Sequence, residues 1–337
     1  MSLNGPIFNA TGTMSVPIMS PNLPVRTGDA VTMASGATAA WISGQRLHLQ
    51  HGPIDLIIGA DEAADKVGAA FAAAADCFTD LLPQLVADLP HLRQPASLDM
   101  PVSKGPVAAR MQAAVMPFLS GPAPAPFITA MAAVAGSVAD HVLAAMTAAA
   151  GPGLQRAYVN NGGDIALTLG PDECFDIGVA DDRDVRYSDF MQSGHAGQPV
   201  ALPIYGQIRL TRANGVGGVA TSGWRGRSLS CGIADSVTVL AANAATADVA
   251  ATLIANAVTV ESGQVKRAPA SEIDPDSDLG DRLVTVDVGC LSDDEVTAAL
   301  THGQRLAASL CDTRHIVAVY GRLGGRGFVV GQEEADG

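Results

Sequence analysis

The sequence predicts an α+β fold in which helices pack on mainly antiparallel sheets. Three observations lead there. Short apolar runs bounded by turn residues recur along the chain, as where 157–159 and 165–169 flank the NNGGD stretch at 160–164. Three long segments, 60–89, 127–150 and 244–258, carry apolar or small residues at helical spacing. Asn-Gly pairs at 161–162 and 214–215 are two-residue hairpin signals, which belong to antiparallel neighbours.

Composition narrows the function classes. At 337 residues the chain can bury a full core, and 48% hydrophobic with 16% charged residues describes a globular protein. A net charge of −14, with lysine only at Lys66, Lys104 and Lys266, repels nucleic acid and anionic membrane surfaces. A phosphate-bearing ligand would then need a metal ion or a local patch of arginine and backbone N–H groups. Cys77, Cys174, Cys231, Cys290 and Cys311 are odd in number and lack C-x-x-C spacing, so neither a disulfide frame nor a zinc knuckle is expected. The first residues lack a basic and then apolar leader, which suggests a cytoplasmic protein. Residues 127–150 are the most membrane-like run, but Asp140 and His141 lie inside it, and a buried helix is expected instead.

In chain order, residues 1–36 are rich in Gly, Pro, Ser and Thr and read as an irregular arm. Residues 37–331 read as a single α+β domain, and 332–337 as a flexible tail. Strands are expected at 38–44 and 47–59, with a turn at Ser43 and Gly44. The helix over 60–89 must kink or split at Pro83, with Asp61 and Glu62 in its first turn. A helix at 106–119 follows, and the Ala- and Gly-rich helix of 127–150 stops at Gly151-Pro152. Further strands are expected at 175–180, 202–212, 236–241, 283–289, 315–321 and 327–331, with a polar connection over 261–281. A last helix begins near Ser292, whose SDDE pattern is a capping signal. Gly215, Gly217 and Ala220 imitate a dinucleotide fingerprint, but no helix opens after them.

Three ordered blocks carry a resemblance. They are AVAGSVAD at 133–140, VNNGGDI at 159–165, and GVATSG at 218–223 with DSVTVLAANAATADVAATL at 235–253. Together they are similar to the ApbE-like superfamily, the FAD:protein FMN transferases, and more closely to its UPF0280 branch. The resemblance implies an ApbE-like fold of two intertwined halves. It also implies a small-molecule ligand, FAD or another flavin or nucleotide, bound with Mg²⁺. The family cation is held by an Asp and a Thr one helical turn apart and by a main-chain carbonyl, which map to Asp248, Thr252 and a position near Val134.

On the same resemblance, the ligand would meet Asn160, Asn161, Gly162, Gly163 and Asp164 in the second block, and Thr221, Ser222 and Gly223 in the third. Tandem glycines allow close approach to the backbone, and the hydroxyls and turn amides could donate to phosphate. Arg225 and Arg227 are the dense basic spot nearby, and Asp235 follows a glycine-bearing turn as Asp164 does. For Asp164 and Asp235 a turn-capping role is the structural counterpart of this reading.

The sequence departs from the family at two points. Ala135 stands where the family has lysine, and SLSCGIAD at 228–235 stands where the family has H-I-I-D-P-x-T-G. No catalytic residue is assigned. Metal-assisted cleavage or transfer at a phosphoanhydride is one reading, and a non-catalytic ligand- or partner-binding module on the same fold is the other. The sequence leaves a homo-oligomer open.

Overall fold

The computed structural model describes residues 29–42, 45–61, 64–120, 124–180 and 204–331. The strands are β1 Ala30–Thr32, β2 Thr38–Ile42, β3 Arg46–His51, β4 Ile54–Asp61, β5 Arg156–Asn161, β6 Asp164–Leu169, β7 Cys174–Ala180, β8 Ile204–Thr211, β9 Gly218–Ser222, β10 Ser236–Ala241, β11 Val265–Pro269, β12 Leu283–Val288, β13 Ala318–Leu323 and β14 Arg326–Gly331. The helices longer than one turn are α1 Ala64–Thr79, α2 Leu81–Leu92, α3 Pro106–Val115, α4 Val134–Ala150, α5 Ala244–Ala257 and α6 Asp293–Asp312.

Ten strands form one antiparallel sheet in the order β1-β2-β3-β4-β5-β6-β9-β10-β13-β14. Two halves, β1 to β6 and β9 to β14, meet at the short β6–β9 ladder, where Ile165 faces Val219 and Ala166 faces Gly218. The expected α+β architecture is therefore present, with the helices collected on one face.

Strand alternation explains the layers. Ala157, Val159, Ala166, Ala220, Val237 and Val239 point to the helical side and join the main core. Leu167, Val219 and Leu240 point the other way, where Leu210 of the β7–β8 ribbon covers them in a smaller second core. The Ala- and Gly-rich character of α4 and α5 follows from how close they lie. A Cβ on Gly136 would meet the Ala244 carbonyl, and one on Gly218 would meet the Ala244 amide nitrogen. Ala130–Gly153 is long and apolar enough to cross a membrane by composition, and 56% of its most apolar window is buried in this core.

Several local expectations need correction. The run over 47–59 is two strands, because Gly52 takes φ +56° and turns the chain between His51 and Ile54. The long helix splits at Asp80, with a 46° bend, and Pro83 sits in the first turn of α2, where no intrahelical N–H bond is lost. Asp61 ends β4 opposite Arg156, so it does not lie in the first turn of α1. Asn214-Gly215 is not a hairpin. Asn214 Oδ1 accepts from the Thr211 amide at 2.7 Å and its hydroxyl at 3.0 Å, closing a 3₁₀ turn that Gly215 ends in the left-handed region. The connection at 261–281 contains β11, which pairs with β12. The sheet also begins at Ala30, inside the stretch read as irregular, while 1–28, the turn at Ser43 and Gly44, and the tail at 332–337 lie outside the described residues.

Candidate functional site

The site is built where the N-termini of α4 and α5 meet the β5–β6 turn. Gly162 and Gly163 form a two-residue hairpin loop at φ +66° and +116°, between the facing pair Asn161 and Asp164. Asn160 Oδ1 accepts the Gly163 N–H at 2.8 Å and braces that turn. Asn161 falls on the helical side of β5, so its amide is buried and needs a partner. Its Nδ2 donates to the Ala135 carbonyl at 3.1 Å, which ties the hairpin to the first turn of α4.

Helix α4 begins at Val134 without a side-chain cap of its own. The Asp248 carboxylate supplies one from α5, accepting the Gly136 N–H at 3.0 Å on Oδ2 and also bonding the Ala135 backbone. Asp248 is the fifth residue of α5 and lies beyond that helix's own first turn, which is capped instead by Asn243 Oδ1 on the Thr246 N–H at 2.8 Å. Asp248 therefore serves the dipole of α4 and not that of its own helix. Asp140 completes the arrangement: its two oxygens accept the Ala244 and Ala245 N–H groups at 3.1 and 2.9 Å.

Asp164 projects to the same helical side. Its Oδ1 accepts the Thr221 N–H at 3.2 Å, and the Arg227 guanidinium, which lies against Gly162, acts on it through space. Burial pushes the Asp164 carboxyl up from 3.8 to about 7 despite those two partners. Burial also holds Asp248 well above the usual carboxylate range, and the neighbouring charges of Asp164 and Asp140 push it further up against its backbone bonds. Asp164 and Asp248 thus form a pair of mutually disfavoured negative charges, with a guanidinium at the rim.

The sequence-derived residues sort into three groups. Asn161, Gly162, Gly163, Asp164, Arg227 and Asp248 converge, with Val134 one residue before the amides that Asp248 caps. Thr252 lies one turn further along α5 and is half-buried. Three others are placed differently. The Thr221 hydroxyl turns to the opposite face and pairs with Thr238 Oγ1 at 2.9 Å, so its amide and not its hydroxyl touches Asp164. Asp235 Oδ2 accepts the Gly324 N–H at 2.8 Å at the β13–β14 turn, two strands away from Asp164. Arg225 stacks on Trp224 and sits 4.0 Å from Asp235. Ser222 ends β9, and Gly223 allows the close approach of the Asp235 carbonyl.

Sequence reasoning missed the capping role of Asp140, the tether from Asn161 to the Ala135 carbonyl, and the amides of Ala135 and Gly136. For Asp140 a signal existed: an acid within an Ala-rich buried helix must find hydrogen-bond donors. Among the described residues no group of three or more His, Cys, Asp or Glu side chains is arranged for a metal. The convergent side-chain donors are the carboxylates of Asp164 and Asp248, and carboxylate oxygens suit a hard cation better than zinc.

One antiparallel sheet backed by two mutually capped helices, with a glycine hairpin near paired carboxylates, makes this an α+β protein with a built polar cleft. A family model described as AbpE bacteria matches residues 39–329. A UPF0280 protein of Methanothrix thermoacetophila is 33% identical over 191 residues, 56% of this chain and 67% of that protein. A UPF0280 protein of Methanothermobacter thermautotrophicus is 33% identical over 156 residues, 46% of this chain and 50% of that protein. Among solved structures, the ApbE protein of Thermotoga maritima aligns with TM-score 0.42 and 12% identity over 86% of this chain and 96% of its own. The apo flavinyl transferase ApbE of Pseudomonas stutzeri aligns with TM-score 0.39 and 16% identity over 90% and 93%. The chain belongs to the AbpE bacteria family, within the UPF0280 branch of the ApbE-like superfamily.

Proposed function

We propose that this protein binds a flavin nucleotide or related nucleotide through its phosphoanhydride, with a divalent cation, in the cleft between the β5–β6 turn and α5. The observation that supports it most is that Asn161, facing Asp164 across the hairpin, and Asp248 bind adjacent backbone groups of α4, so that the charge of Asp164 bears on Asp248. Two carboxylates held together while both resist ionisation have unmet demand for a positive charge. Asp164, Asp248 and Thr252 would hold the cation, together with a carbonyl near Val134. Bound there, a cation such as Mg²⁺ would neutralise phosphate charge and polarise a phosphoryl oxygen.

The chain's own groups have separate tasks. The Gly162–Gly163 turn lets a ligand approach the main chain closely beside the Arg227 guanidinium. Arg227 places a guanidinium at the rim, where it both steadies Asp164 and can fork onto a phosphate. A net charge of −14 fits a small ligand carried with a cation and opposes nucleic acid.

Thermal melting of the purified protein with FAD, with and without Mg²⁺, tests this. FAD and Mg²⁺ together should raise Tm more than either alone, and Asp248→Asn, which keeps an acceptor for the Gly136 N–H, should remove the gain. No shift, or an equal shift in the variant, overturns the reading. A second reading, ligand binding without turnover, is favoured by Ala135 and by the absence of histidine from 228–235. FAD recovered intact after incubation with the protein and Mg²⁺ selects it, and release of FMN or AMP rejects it.

A further inference from the structure

At the other end of α5 a second polar cluster gathers from separate parts of the chain. Asn256 Oδ1 accepts the Cys231 N–H at 2.9 Å and the Ser230 hydroxyl at 3.0 Å, fastening the loop before β10 to the last turn of α5. Strand β12 docks on that loop, with the Thr285 N–H on the Ser230 carbonyl at 2.8 Å. Arg267 of β11 stands directly opposite Thr285, so their side chains share one face of the ribbon. Arg267 Nη2 donates to Thr259 Oγ1 at 2.8 Å, just past the end of α5. Arg282 precedes β12 and lies with its guanidinium carbon 3.5 Å from the Phe127 ring centroid.

Both guanidiniums also act on the Cys231 thiol through space. Neither forms an ion pair among the described residues, although the chain carries a net charge of −14. The thiol brings no compensating charge, because burial outweighs the two arginines and keeps it above its ordinary range. Thr285 is only 5% exposed, and its hydroxyl has no hydrogen-bond partner. An unmatched guanidinium opposite an unsatisfied buried hydroxyl, with a second guanidinium three residues before that hydroxyl in the chain, is the complement of an oxyanion.

We propose that Arg267 and Arg282, with the hydroxyls of Thr259 and Thr285, form a binding site for a phosphate group beside Cys231. Forked guanidinium donors match the geometry of phosphate oxygens, and the threonine hydroxyls fill the remaining acceptors. This site is separate from the paired carboxylates. Asp248 and Asn256 are eight residues apart on α5, about 12 Å along its axis.

Alkylation of Cys231 by iodoacetamide, followed by peptide mass spectrometry, reads occupancy directly, with the exposed Cys290 as internal control. At constant ionic strength, inorganic phosphate at twice its Kd should slow Cys231 about threefold and leave Cys290 unchanged. A nucleoside 5′-monophosphate is titrated in parallel. Half-protection at a lower concentration than free phosphate assigns the group to a nucleotide, and the reverse order assigns it to the free ion. Arg267→Gln and Arg282→Gln should each abolish the protection. Equal slowing of both cysteines, protection by neither ligand, or protection that survives both substitutions overturns the site. Should a variant fail to fold, the wild-type comparison still decides. Protection should persist in Asp248→Asn and without Mg²⁺, so failure of the flavin reading leaves this result intact; dependence on Asp248 overturns the separate site.

Discussion

Asp140 and Asp248 cap each other's helices. Asp140 of α4 holds the first two amides of α5, and Asp248 of α5 holds the Gly136 amide in the first turn of α4. Two helix N-termini brought together would oppose one another through the positive ends of their dipoles, and each carboxylate offsets the end it faces. The crossing also needs Gly136, whose missing side chain leaves room for the Ala244 carbonyl.

Asp140→Ala should destabilise the protein by about 2–3 kcal/mol, since two donors at the start of α5 lose a buried, charged acceptor. Asp140→Asn keeps one acceptor oxygen and should lose roughly half as much. Urea denaturation of both variants checks the order. Equal stability of wild type and Asp140→Ala would remove the capping account.

Gly136→Ala should cost about 2 kcal/mol or more, because the new methyl meets backbone that cannot swing aside. Gly263→Ala, where nothing lies within 4 Å of the added atom, serves as the control and should stay within about 0.5 kcal/mol of wild type.

The raised Asp164 carboxyl has a definite pH signature. Its folded value of about 7 lies above the ordinary 3.8, so the folded state binds more protons between them and stability falls as pH rises through that window. Asp248 is shifted in the same direction. Asp164→Asn should flatten the fall between about pH 4 and pH 7. Denaturation at four pH values compares the slopes, and parallel curves for wild type and variant would contradict the assignment.

A divalent cation competes with protons for the same carboxylates. Stabilisation by Mg²⁺ should therefore be larger at pH 8 than at pH 5.5, and absent from Asp164→Asn combined with Asp248→Asn. A Tm titration at both pH values measures it, and an equal shift in the double variant would place the cation elsewhere.

The Arg227 guanidinium is a partner of Asp164, so Arg227→Gln should raise the Asp164 value above about 7. Carboxyl ¹³C shifts followed through a pH titration read this directly. An unchanged midpoint would separate the two groups.

Much of the fold was legible because it is written in local chemistry. Period-two runs marked β5, β6, β10, β12, β13 and β14, and the Ser292–Glu295 capping box marked the start of α6. Gly52 misled because a single glycine inside an apolar run does not announce the tight turn it makes between β3 and β4, and Asn214 because the same turn residues serve a hairpin or a 3₁₀ turn according to which strands are available to pair.

The sequence by itself determined the α+β class, most element positions, the glycine hairpin and the family blocks, all of which depend on neighbours a few residues apart. Only the tertiary structure decided that the charges of Asp164 and Asp248 bear on each other, that Asp235 serves a distant turn, and that Asp140 and Asp248 exchange caps. Those relations join groups 84, 89 and 104 or more positions apart. Their strength depends on burial and through-space charge, which no local pattern encodes.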